Sequence, residues 1–443
     1  IQRCASLRSI ISIQVDGIFL QTSPRITKTL EIKFYNMIYN KLHKACEMPI
    51  VSGLNHIHQP PIISTEKVYK VNESPINLPG GTLDIAPHIT PPYHEELEWN
   101  VVEEPLTGDD DFVDHILDHV NSGKSCCVEG PPGTGKSWML GKIKETLQEQ
   151  GHNVRVLAPT HAAARIVSGS TLHHFVARFA MLGAFKGWLL IDEISMVVLP
   201  LLACLDQLRL IDCKIICFGD WDQLESVSPS WRGVPVDPHA FRHSRLYKWW
   251  SDRTKFVLQR CRRSDQGHFD FYTGLSMNLP QAIAASRRKY GTTNDDADLH
   301  LTISHKRRRA ISGAKQAKAA VDKECVTVPM GDDPSYKCFV GTRLIGSATG
   351  GKFVNGARYL VNGLTPQLTL VDEMTGLSFL ATLEAVSRHT LLAWAIVYNK
   401  AQACTIEGTV CLHDMNSRYF RRCHLYVGLS RVTNGANVFV GRH

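Results

Sequence analysis

The stretch EGPPGTGKSWML, from Glu129 to Leu140, decides the fold of this chain. Its centre, GPPGTGKS, matches the pattern G-x-x-x-x-G-K-[ST], and it lies between an apolar run and a stretch of helical character. Glycines at these positions permit positive φ angles, and the backbone N–H groups of such a loop can surround phosphate oxygens at a helix N-terminus. The sequence therefore predicts a nucleotide phosphate site between a buried strand and a helix.

The loop divides its predicted contacts with the nucleotide between backbone and side chains. We expect the Lys136 ammonium to bind the β- and γ-phosphates as a point charge, and the Ser137 hydroxyl to bind Mg²⁺. ATP and Mg²⁺ are therefore the predicted cofactors. The predicted contact residues are Gly130, Pro131, Pro132, Gly133, Thr134, Gly135, Lys136 and Ser137.

Acidic and amide side chains follow two later apolar runs. In WLLIDEISM, we expect Asp192 to hold Mg²⁺ and Glu193 to orient and deprotonate an attacking water. In CFGDWDQLESV, Asp220 and Gln223 follow the next apolar run. An amide near the γ-phosphate can position water without removing its proton, so Gln223 is the predicted coupling residue. Two adjacent acids beside a phosphate loop indicate hydrolysis rather than binding alone.

The pattern of apolar runs predicts an α/β protein. Short apolar runs that end in polar residues are typical of buried parallel strands, and such sheets bind ligands at the carboxyl ends of their strands. We predict one parallel-sheet domain at 101–254 and a second at 255–443, with a small β-barrel insertion at about 353–386. Residues 1–100 contain an apolar hairpin around Asp16-Gly17 and a Pro-rich linker, and they receive no predicted function.

Composition limits the class of protein. The chain has 443 residues, which is more than one ordinary core accommodates. Its formal net charge is +7, with basic residues concentrated at 241–263 and from His305 onward. These runs suit a polyanionic partner, although a solvated helix face would have the same composition. The 13 cysteines include no CxxC pair and indicate reduced thiols in an intracellular protein.

Two kinds of site are not expected. His56 and His58 have no companion ligands at zinc spacing, so we predict no structural zinc. No apolar run reaches the ~18 residues that a membrane span requires, so we predict no membrane partner.

From about Leu106 to its end, the chain resembles superfamily-1 helicases of the 5′→3′ branch, and within them the PIF-type and RecD-like DNA helicases. An ordered set of segments carries the resemblance. They are GPPGTGKS, APTHAAARIVSGSTLHHF, LLIDEISM, FGDWDQL, VLQRCRRSD, FVNGARYLV, AWAIVYNKAQACT and LYVGLSR.

The resemblance implies two tandem RecA-like domains with ATP between them and a β-barrel insertion in the second. It assigns phosphate-contacting arginines to Arg262 and Arg431, with Arg263 or Arg260 as alternatives to Arg262. It also implies contacts with the DNA backbone. Trp221 and Phe175 are candidates for base stacking, although an aromatic residue at a strand end is more often part of the core. The implied DNA-contacting residues are Thr160, His161, Thr171, His173, Asn355, Asn399, Lys400, Gln402 and Thr405.

The implied activity is that of an ATP-dependent 5′→3′ DNA helicase or single-strand translocase in replication, repair or recombination. Its implied partners are single-stranded DNA, 5′-tailed duplex DNA and other replication proteins. Two alternatives stay open: an RNA helicase of the same superfamily, and a non-catalytic nucleic-acid-binding module of a larger replication protein.

The chain departs from the family pattern at two places that bear on function. Asn399 and Ala403 stand where the family usually has His and Gly, which puts the coupling of DNA to ATP in doubt. The family also reads adenine with a glutamine before the first strand, and none occurs between Leu106 and Gly130. Selectivity for ATP over GTP is therefore an open question.

Overall fold

The computed structural model describes residues 98–107, 111–178, 185–198, 213–225, 241–292, 295–329, 335–402 and 404–441, with short pieces elsewhere. The chain divides into two units, Ile1–Glu96 and Leu97–His443. In the first unit, β1 (Ile10–Gln14) pairs antiparallel with β2 (Gly17–Leu20), as predicted for this segment. A second antiparallel pair joins β3 (Asn77–Leu78) to β4 (Gly81–Thr82). His56, His58 and Ala403 lie outside the described residues.

A parallel sheet organises the first half of the second unit. Its strands run in the order β5-β13-β6-β10-β9-β7-β8, and every pair is parallel. The central strands β6 and β9 are buried along their whole length, which their continuous apolar sequences CCV and WLLI explain. The strands of this half are β5 (Asn100–Glu103), β6 (Cys126–Glu129), β7 (Val154–Ala158), β8 (Ser170–Thr171), β9 (Trp188–Ile191), β10 (Lys214–Gly219), β11 (Ser230–Trp231), β12 (Val234–Pro235) and β13 (Thr254–Val257).

Helices connect these strands and cover the sheet. Val120, Ile143 and Leu147 are among the buried apolar side chains that they pack against it. The helices are α1 (Asp111–Asn121), α2 (Lys136–Glu149), α3 (His161–Ile166), α4 (Leu172–Arg178) and α5 (Arg245–Trp250). The small pair β11 and β12 is antiparallel and separate from the sheet.

The strand β13 corrects the predicted domain boundary. We expected KFVLQ, from Lys255, to open the second domain, but β13 lies between β5 and β6, with Phe256 opposite Val128. Phe256 is buried and packs against Phe112 of α1. A short apolar run does not show which of two sheets it joins, and this one completes the first sheet after a long connection. We therefore place the start of the second half after Val257.

The second half contains a smaller parallel sheet with the order β22-β14-β23-β24. Its strands, with those of the antiparallel sheet described below, are β14 (Leu299–Thr302), β15 (Val326–Val328), β16 (Tyr336–Cys338), β17 (Arg343–Gly346), β18 (Arg358–Gly363), β19 (Leu368–Asp372), β20 (Ser378–Ala381), β21 (Thr390–Leu392), β22 (Ala395–Val397), β23 (Val410–Leu412) and β24 (Val438–Val440). Its helices are α6 (Gln266–Thr273), α7 (Leu279–Lys289), α8 (His305–Ala319), α9 (Leu383–His389), α10 (Tyr398–Ala401) and α11 (Arg422–Leu429). Leu301, Leu412 and Val427 lie in the core of this half.

An antiparallel sheet is inserted between β14 and β22, with the order β20-β19-β18-β17-β21. It has its own core, in which Tyr359, Leu370 and Val386 are buried. The predicted insertion, 353–386, was too short at both ends, because β17 and β21 also belong to this sheet. Closure of the sheet into a barrel stays a prediction.

The antiparallel sheet contacts the first half at α3. Gly356 has a φ of 84°, and a Cβ at this position would lie 2.9 Å from the Ala162 Cβ. The Arg165 guanidinium donates to the Asp372 carboxylate at 2.6 Å. The helix α3 and the inserted sheet are therefore in direct contact.

Among the described residues, no helix combines the length and the apolar character that a membrane crossing requires.

Candidate nucleotide site

The loop after β6 has the geometry that its glycines predict. Gly133 and Gly135 have φ angles of 89° and 94°, which are strained for any residue with a side chain. A Cβ at Gly130 would lie 2.5 Å from the Leu258 carbonyl oxygen, so this position also requires glycine. Lys136 begins α2 and donates to the carbonyls of Gly130 and Pro131 at 2.6 and 2.9 Å. The loop thus curves around the Lys136 ammonium.

Asp192 and Glu193 follow β9 and face the same space as Lys136. Burial, with the neighbouring Glu193 charge, raises the pKa of Asp192 to about 7. Burial also raises the pKa of Glu193, against the charges of Lys136 and Arg431. The Glu193 backbone is left-handed, with φ 49°, and its Oε2 is buried without a hydrogen-bond partner. Two buried acids with raised pKa values are suited to bind a cation or a proton.

Asp220 and Gln223 occupy the end of β10, as the sequence predicted. The Gln223 Nε2 donates to Asp220 Oδ2 at 3.3 Å, and the Tyr426 hydroxyl of α11 donates to the same oxygen at 2.8 Å. Burial raises the pKa of Asp220 against the opposing charge of Lys136. The Gln223 Oε1 is buried without a partner, so it can accept a hydrogen bond from a bound molecule.

One cavity of about 690 Å³ joins these side chains to arginines that follow the first sheet. Its lining includes Lys136, Asp192, Glu193 and Gln223 from the first half. It also includes Arg262, Arg263, Thr405 and Arg431.

Arg262 is held by the first half of the molecule. Its guanidinium forms an ion pair with the Glu104 carboxylate, whose side chain is 1% exposed, and it donates to the Thr134 carbonyl at 2.8 Å. The Arg262 backbone N–H donates to the Gly133 carbonyl at 2.8 Å. Despite its burial, the pKa of Glu104 is lowered, through hydrogen bonds from Arg262 and two backbone N–H groups. Arg262 is therefore fixed to the phosphate loop.

Arg263 and Arg431 are held by the second half. Arg263 donates to the Thr405 hydroxyl at 3.2 Å and to the Ser430 carbonyl at 2.7 Å, while its Nε is buried without a partner. Arg431 is 2% exposed and donates to the carbonyls of Val427 and Cys404 at 3.0 and 3.2 Å. Burial, with the charge of Arg263, lowers the pKa of Arg431 to about 10. Arg263 and Arg431 therefore lie close enough for their charges to interact, and both line the cavity that contains the phosphate loop.

Comparisons with known proteins agree with this geometry. A family model described as an AAA domain matches residues 113–233. The human ATP-dependent DNA helicase PIF1 is 27% identical over 386 residues, which cover 71% of this chain and 58% of that protein. The rat protein of the same name is 25% identical over 382 residues with the same coverage. Over these residues the chain is similar in sequence to the PIF1 helicases. It spans about 58% of the length of these curated relatives.

Solved structures show the same fold. The Pif1 helicase of Candida albicans superposes with a TM-score of 0.56 at 19% identity, covering 76% of this chain and 95% of that one. A Bacteroides Pif1 bound to single-stranded DNA superposes with a TM-score of 0.55 at 21% identity. The match covers 76% of this chain and 92% of that one. The two parallel sheets are therefore the tandem RecA-like domains that we predicted, and the α/β fold class is confirmed.

The residues predicted to contact DNA in the first RecA-like domain lie at helix starts. The Thr160 hydroxyl caps α3 by accepting from the Ala163 N–H at 3.1 Å, and His161 beside it is exposed. The Thr171 hydroxyl accepts from the His174 N–H at 3.3 Å, and His173 is exposed. Both threonine hydroxyls therefore cap the N-terminus of a helix, while the two predicted histidines are exposed to solvent.

The residues predicted to contact DNA from the second domain lie in two different places. Lys400 donates to the Asn355 side chain at 3.2 Å and to the Gly346 carbonyl at 3.1 Å, and the partly buried Asn399 precedes it. Gln402 is instead 4% exposed, and it donates to the Leu224 carbonyl at 3.3 Å beside Glu193. Thr405 lines the nucleotide cavity. Gln402 and Thr405 therefore lie at the nucleotide site in this structure rather than with Asn355.

The two stacking candidates belong to the core. Trp221 is 6% exposed and donates through Nε1 to the Glu129 carboxylate at 3.0 Å. Phe175 is 1% exposed and packs edge-on against Phe185. Neither ring is placed to stack on a base, so the core interpretation of both was the right one.

One cluster bears on the predicted absence of zinc. His300, Cys411 and His413 are buried, with their possible ligand atoms within 4.8 Å of one another. His300 Nδ1 lies 2.9 Å from His413 Nε2, and the cations Lys315 and Arg307 lie 3.3 and 3.4 Å from the outer ring nitrogens. These positive charges oppose a bound cation. The absence of structural zinc stays a prediction.

Sequence reasoning missed several side chains that shape the site. The Tyr272 hydroxyl of α6 donates to the Pro132 carbonyl at 2.7 Å, across the two domains. Glu104, at the end of the edge strand β5, holds Arg262. Glu129 accepts from both Trp221 and the Tyr247 hydroxyl. A buried acid at the end of an apolar run was the available signal for Glu129, but the partners of Tyr272 and Glu104 are distant in sequence.

Proposed function

We propose that the chain is an ATP-dependent 5′→3′ DNA helicase or single-strand translocase. One observation carries the proposal: Lys136, Asp192 and Glu193 of one RecA-like domain share a cavity with Arg263 and Arg431, which the other domain holds. A nucleotide that contacts both domains can couple its hydrolysis to their relative movement. A pocket within one domain would offer no such coupling.

The chain's own residues suit ATP with Mg²⁺. Lys136 holds the β- and γ-phosphates, and the exposed Ser137 hydroxyl with Asp192 would hold the metal. The raised pKa of Asp192 fits this role, because a buried carboxylate is stabilised when a cation binds. Mg²⁺, when bound, neutralises charge that develops on the phosphate oxygens.

Glu193 and Gln223 suit the attacking water. The Glu193 Oε2 and the Gln223 Oε1 are both buried acceptors without partners, and both residues line the cavity. Glu193 would take the proton of the water, and Gln223 would hold the water in line with the γ-phosphate. Burial raises the pKa of Glu193 against the charges of Lys136 and Arg431, which makes the ionised carboxylate a stronger base.

The three arginines that line the cavity have different proposed roles. Arg263 and Arg431 would stabilise charge on the γ-phosphoryl group, because both donate to second-domain carbonyls and approach the phosphate loop from that side. Arg262 is a positioning residue that holds the loop through Thr134. Of the arginines that the resemblance offered at this place, Arg262 with Arg263 or Arg260 as alternatives, we therefore propose Arg263 as the phosphate-contacting one.

DNA is the proposed substrate. A relative of this chain has been solved with single-stranded DNA. Here His161, His173, Asn355 and Lys400 would contact the sugar–phosphate backbone, which gives affinity without sequence preference. DNA replication, repair or recombination, with other replication proteins as partners, is the proposed setting. Of the two alternatives, neither an RNA substrate nor a non-catalytic role is favoured by a specific contact of this structure.

A hydrolysis and unwinding assay tests the proposal. We expect single-stranded DNA to raise the rate of ATP hydrolysis by about tenfold or more, and Lys136→Ala to lower it by about a hundredfold or more. Duplexes with a 5′ tail should be unwound and those with a 3′ tail should not. Equal stimulation by RNA of the same sequence would favour an RNA helicase. Binding of DNA without any hydrolysis would favour the non-catalytic module.

A further inference from the structure

The lining of the nucleotide cavity includes residues of α1 and of the start of α2. We infer that Asp114 and Trp138 recognise the base there, and that the site accepts GTP at least as well as ATP. This inference rests on the proposed nucleotide hydrolysis and deepens it by naming the base. It concerns two residues to which neither the motifs nor the resemblance gave a role.

The position of the phosphate loop places the base. Lys136, Asp192 and Glu193 line the cavity together with Val113, Asp114 and Trp138. Trp138 follows Ser137 directly in α2, and Asp114 lies in the first turn of α1. Because the Lys136 side holds the phosphates, the sugar and base extend along the remaining wall. That wall consists of an aromatic ring, an apolar side chain and a carboxylate.

Trp138 has the properties of a stacking surface. Its side chain is 54% exposed, although it lies in the first turn of a helix in which Met139 and Leu140 are 2% and 1% exposed. The Lys142 ammonium, one turn later, lies 5.9 Å from the centroid of the ring and helps to orient it. An exposed aromatic ring in a cavity can cover the face of any purine, and this contact does not depend on which base is bound.

The Asp114 carboxylate would distinguish guanine from adenine. An ionised carboxylate only accepts hydrogen bonds, whereas an amide both donates and accepts. Adenine presents its N6 amino donor beside a ring acceptor, which suits an amide. Guanine presents its N1–H and its N2 amino group side by side, which suits the two oxygens of a carboxylate. The chain has no glutamine between Leu106 and Gly130, and the acidic side chain on this wall is Asp114.

Steady-state hydrolysis with ATP and GTP tests the inference. We expect the wild-type kcat/KM for GTP to equal or exceed that for ATP. Asp114→Asn should shift the ratio of the two values about tenfold toward ATP, because asparagine can pair with adenine. Trp138→Ala should raise KM for both nucleotides by a similar factor, while Trp138→Phe, which keeps an aromatic face, should restore most of the loss.

Asp118→Asn is the matched control, because Asp118 is an exposed acid one turn later on the same helix and does not line the cavity. Equilibrium binding of fluorescent ADP and GDP measures the preference between the two bases without hydrolysis. The inference is overturned if Asp114→Asn leaves the ratio unchanged, or shifts it no more than Asp118→Asn. It is also overturned if wild type strongly prefers ATP. If neither nucleotide binds to wild type, the proposed hydrolysis fails together with the inference.

Discussion

Arg262 and Arg263 are adjacent in the chain, yet their guanidinium groups have partners in different domains. Arg262 pairs with Glu104 and the phosphate loop, while Arg263 donates to Thr405 and Ser430. The sequence predicted an arginine in this segment, but adjacent arginines of equal chemistry cannot be ranked without their partners. In contrast, Lys136, Asp192 and Glu193 were predictable, because a buried strand and a glycine-rich turn fix where each side chain points.

These partners predict different kinetic effects for the two arginines. Arg263→Ala should lower kcat by about a hundredfold or more with little change in KM for the nucleotide, because it removes charge that acts on the transition state. Arg262→Ala should raise KM and lower the free energy of unfolding by about 1–3 kcal/mol, because it leaves the buried Glu104 carboxylate without its main partner. Arg288→Ala, at an exposed position, serves as a control for the loss of a surface arginine. Similar kcat losses in both variants would contradict this division.

The buried histidines predict sensitivity to acid. Burial, with the neighbouring His413 charge, lowers the pKa of His300 to about 3, and burial with the Arg307 charge lowers that of His413 to about 4. The unfolded chain therefore binds protons that the folded chain does not, so stability is present above pH ~6.5 and is lost as the pH falls toward 4.

Urea unfolding at a series of pH values between 7.5 and 4.5, without nucleotide, measures this loss. We expect the free energy of unfolding to fall by a few kcal/mol across the range for wild type. His413→Asn should flatten the profile, whereas His174→Gln, on the exposed side of α4, should leave it unchanged. A profile for His413→Asn as steep as that of wild type would contradict the assignment.

At the scale of elements, the contact between α3 and the antiparallel sheet was not predictable. The short strands and glycine turns indicated an all-β insertion, because strand periodicity is local. The same pattern says nothing of where the insertion lies, and it did not show that β17 and β21 complete the sheet. Likewise β13 reads as a buried strand in sequence, and only its pairing with β5 and β6 assigns it to the first domain.

Substitutions at two glycines test the contribution of the contact between α3 and the antiparallel sheet. Gly356 and Gly351 both have positive φ, but a Cβ at Gly356 would lie 2.9 Å from Ala162, whereas nothing lies within 4 Å at Gly351. Gly351→Ala should cost about 1 kcal/mol of stability, from backbone strain alone. Gly356→Ala should cost about 1–3 kcal/mol more, because α3 must shift, and it should also weaken stimulation of hydrolysis by DNA. Equal losses in both variants, by thermal or urea unfolding, would show that the contact adds nothing.

At the scale of the whole molecule, the order of the motifs predicted two domains around one nucleotide. The cavity is consistent with this prediction, because residues of both halves line it. The motif order did not predict how the domains hold each other. Asp222 pairs with Arg422 at 2.6 Å and Glu225 with Arg421 at 3.0 Å, each across the domains. The partners are 196 and 200 residues apart in sequence, so only the folded path of the chain brings them together.

Tyr272 joins the two domains at the phosphate loop itself, and its hydroxyl provides the sharpest test of their coupling. Tyr272→Phe removes the donor to the Pro132 carbonyl while it keeps the ring in the core. The buried carbonyl then lacks its partner, so we expect the free energy of unfolding to fall by about 1–2 kcal/mol and nucleotide affinity to fall about threefold to tenfold.

Tyr290→Phe is the matched control, because the Tyr290 hydroxyl lies 2.7 Å from His268 Nδ1 within the second domain, and His268 Nε2 lies 2.9 Å from the Leu429 carbonyl. Since that carbonyl can only accept, Nδ1 accepts from Tyr290. Losing this bond should lower stability by a similar amount and leave the affinity for nucleotide unchanged. Urea unfolding with and without ADP separates the two effects: the stabilisation that ADP adds should shrink for Tyr272→Phe alone. If ADP stabilises both variants as much as wild type, the hydroxyl holds the domains together without shaping the phosphate loop.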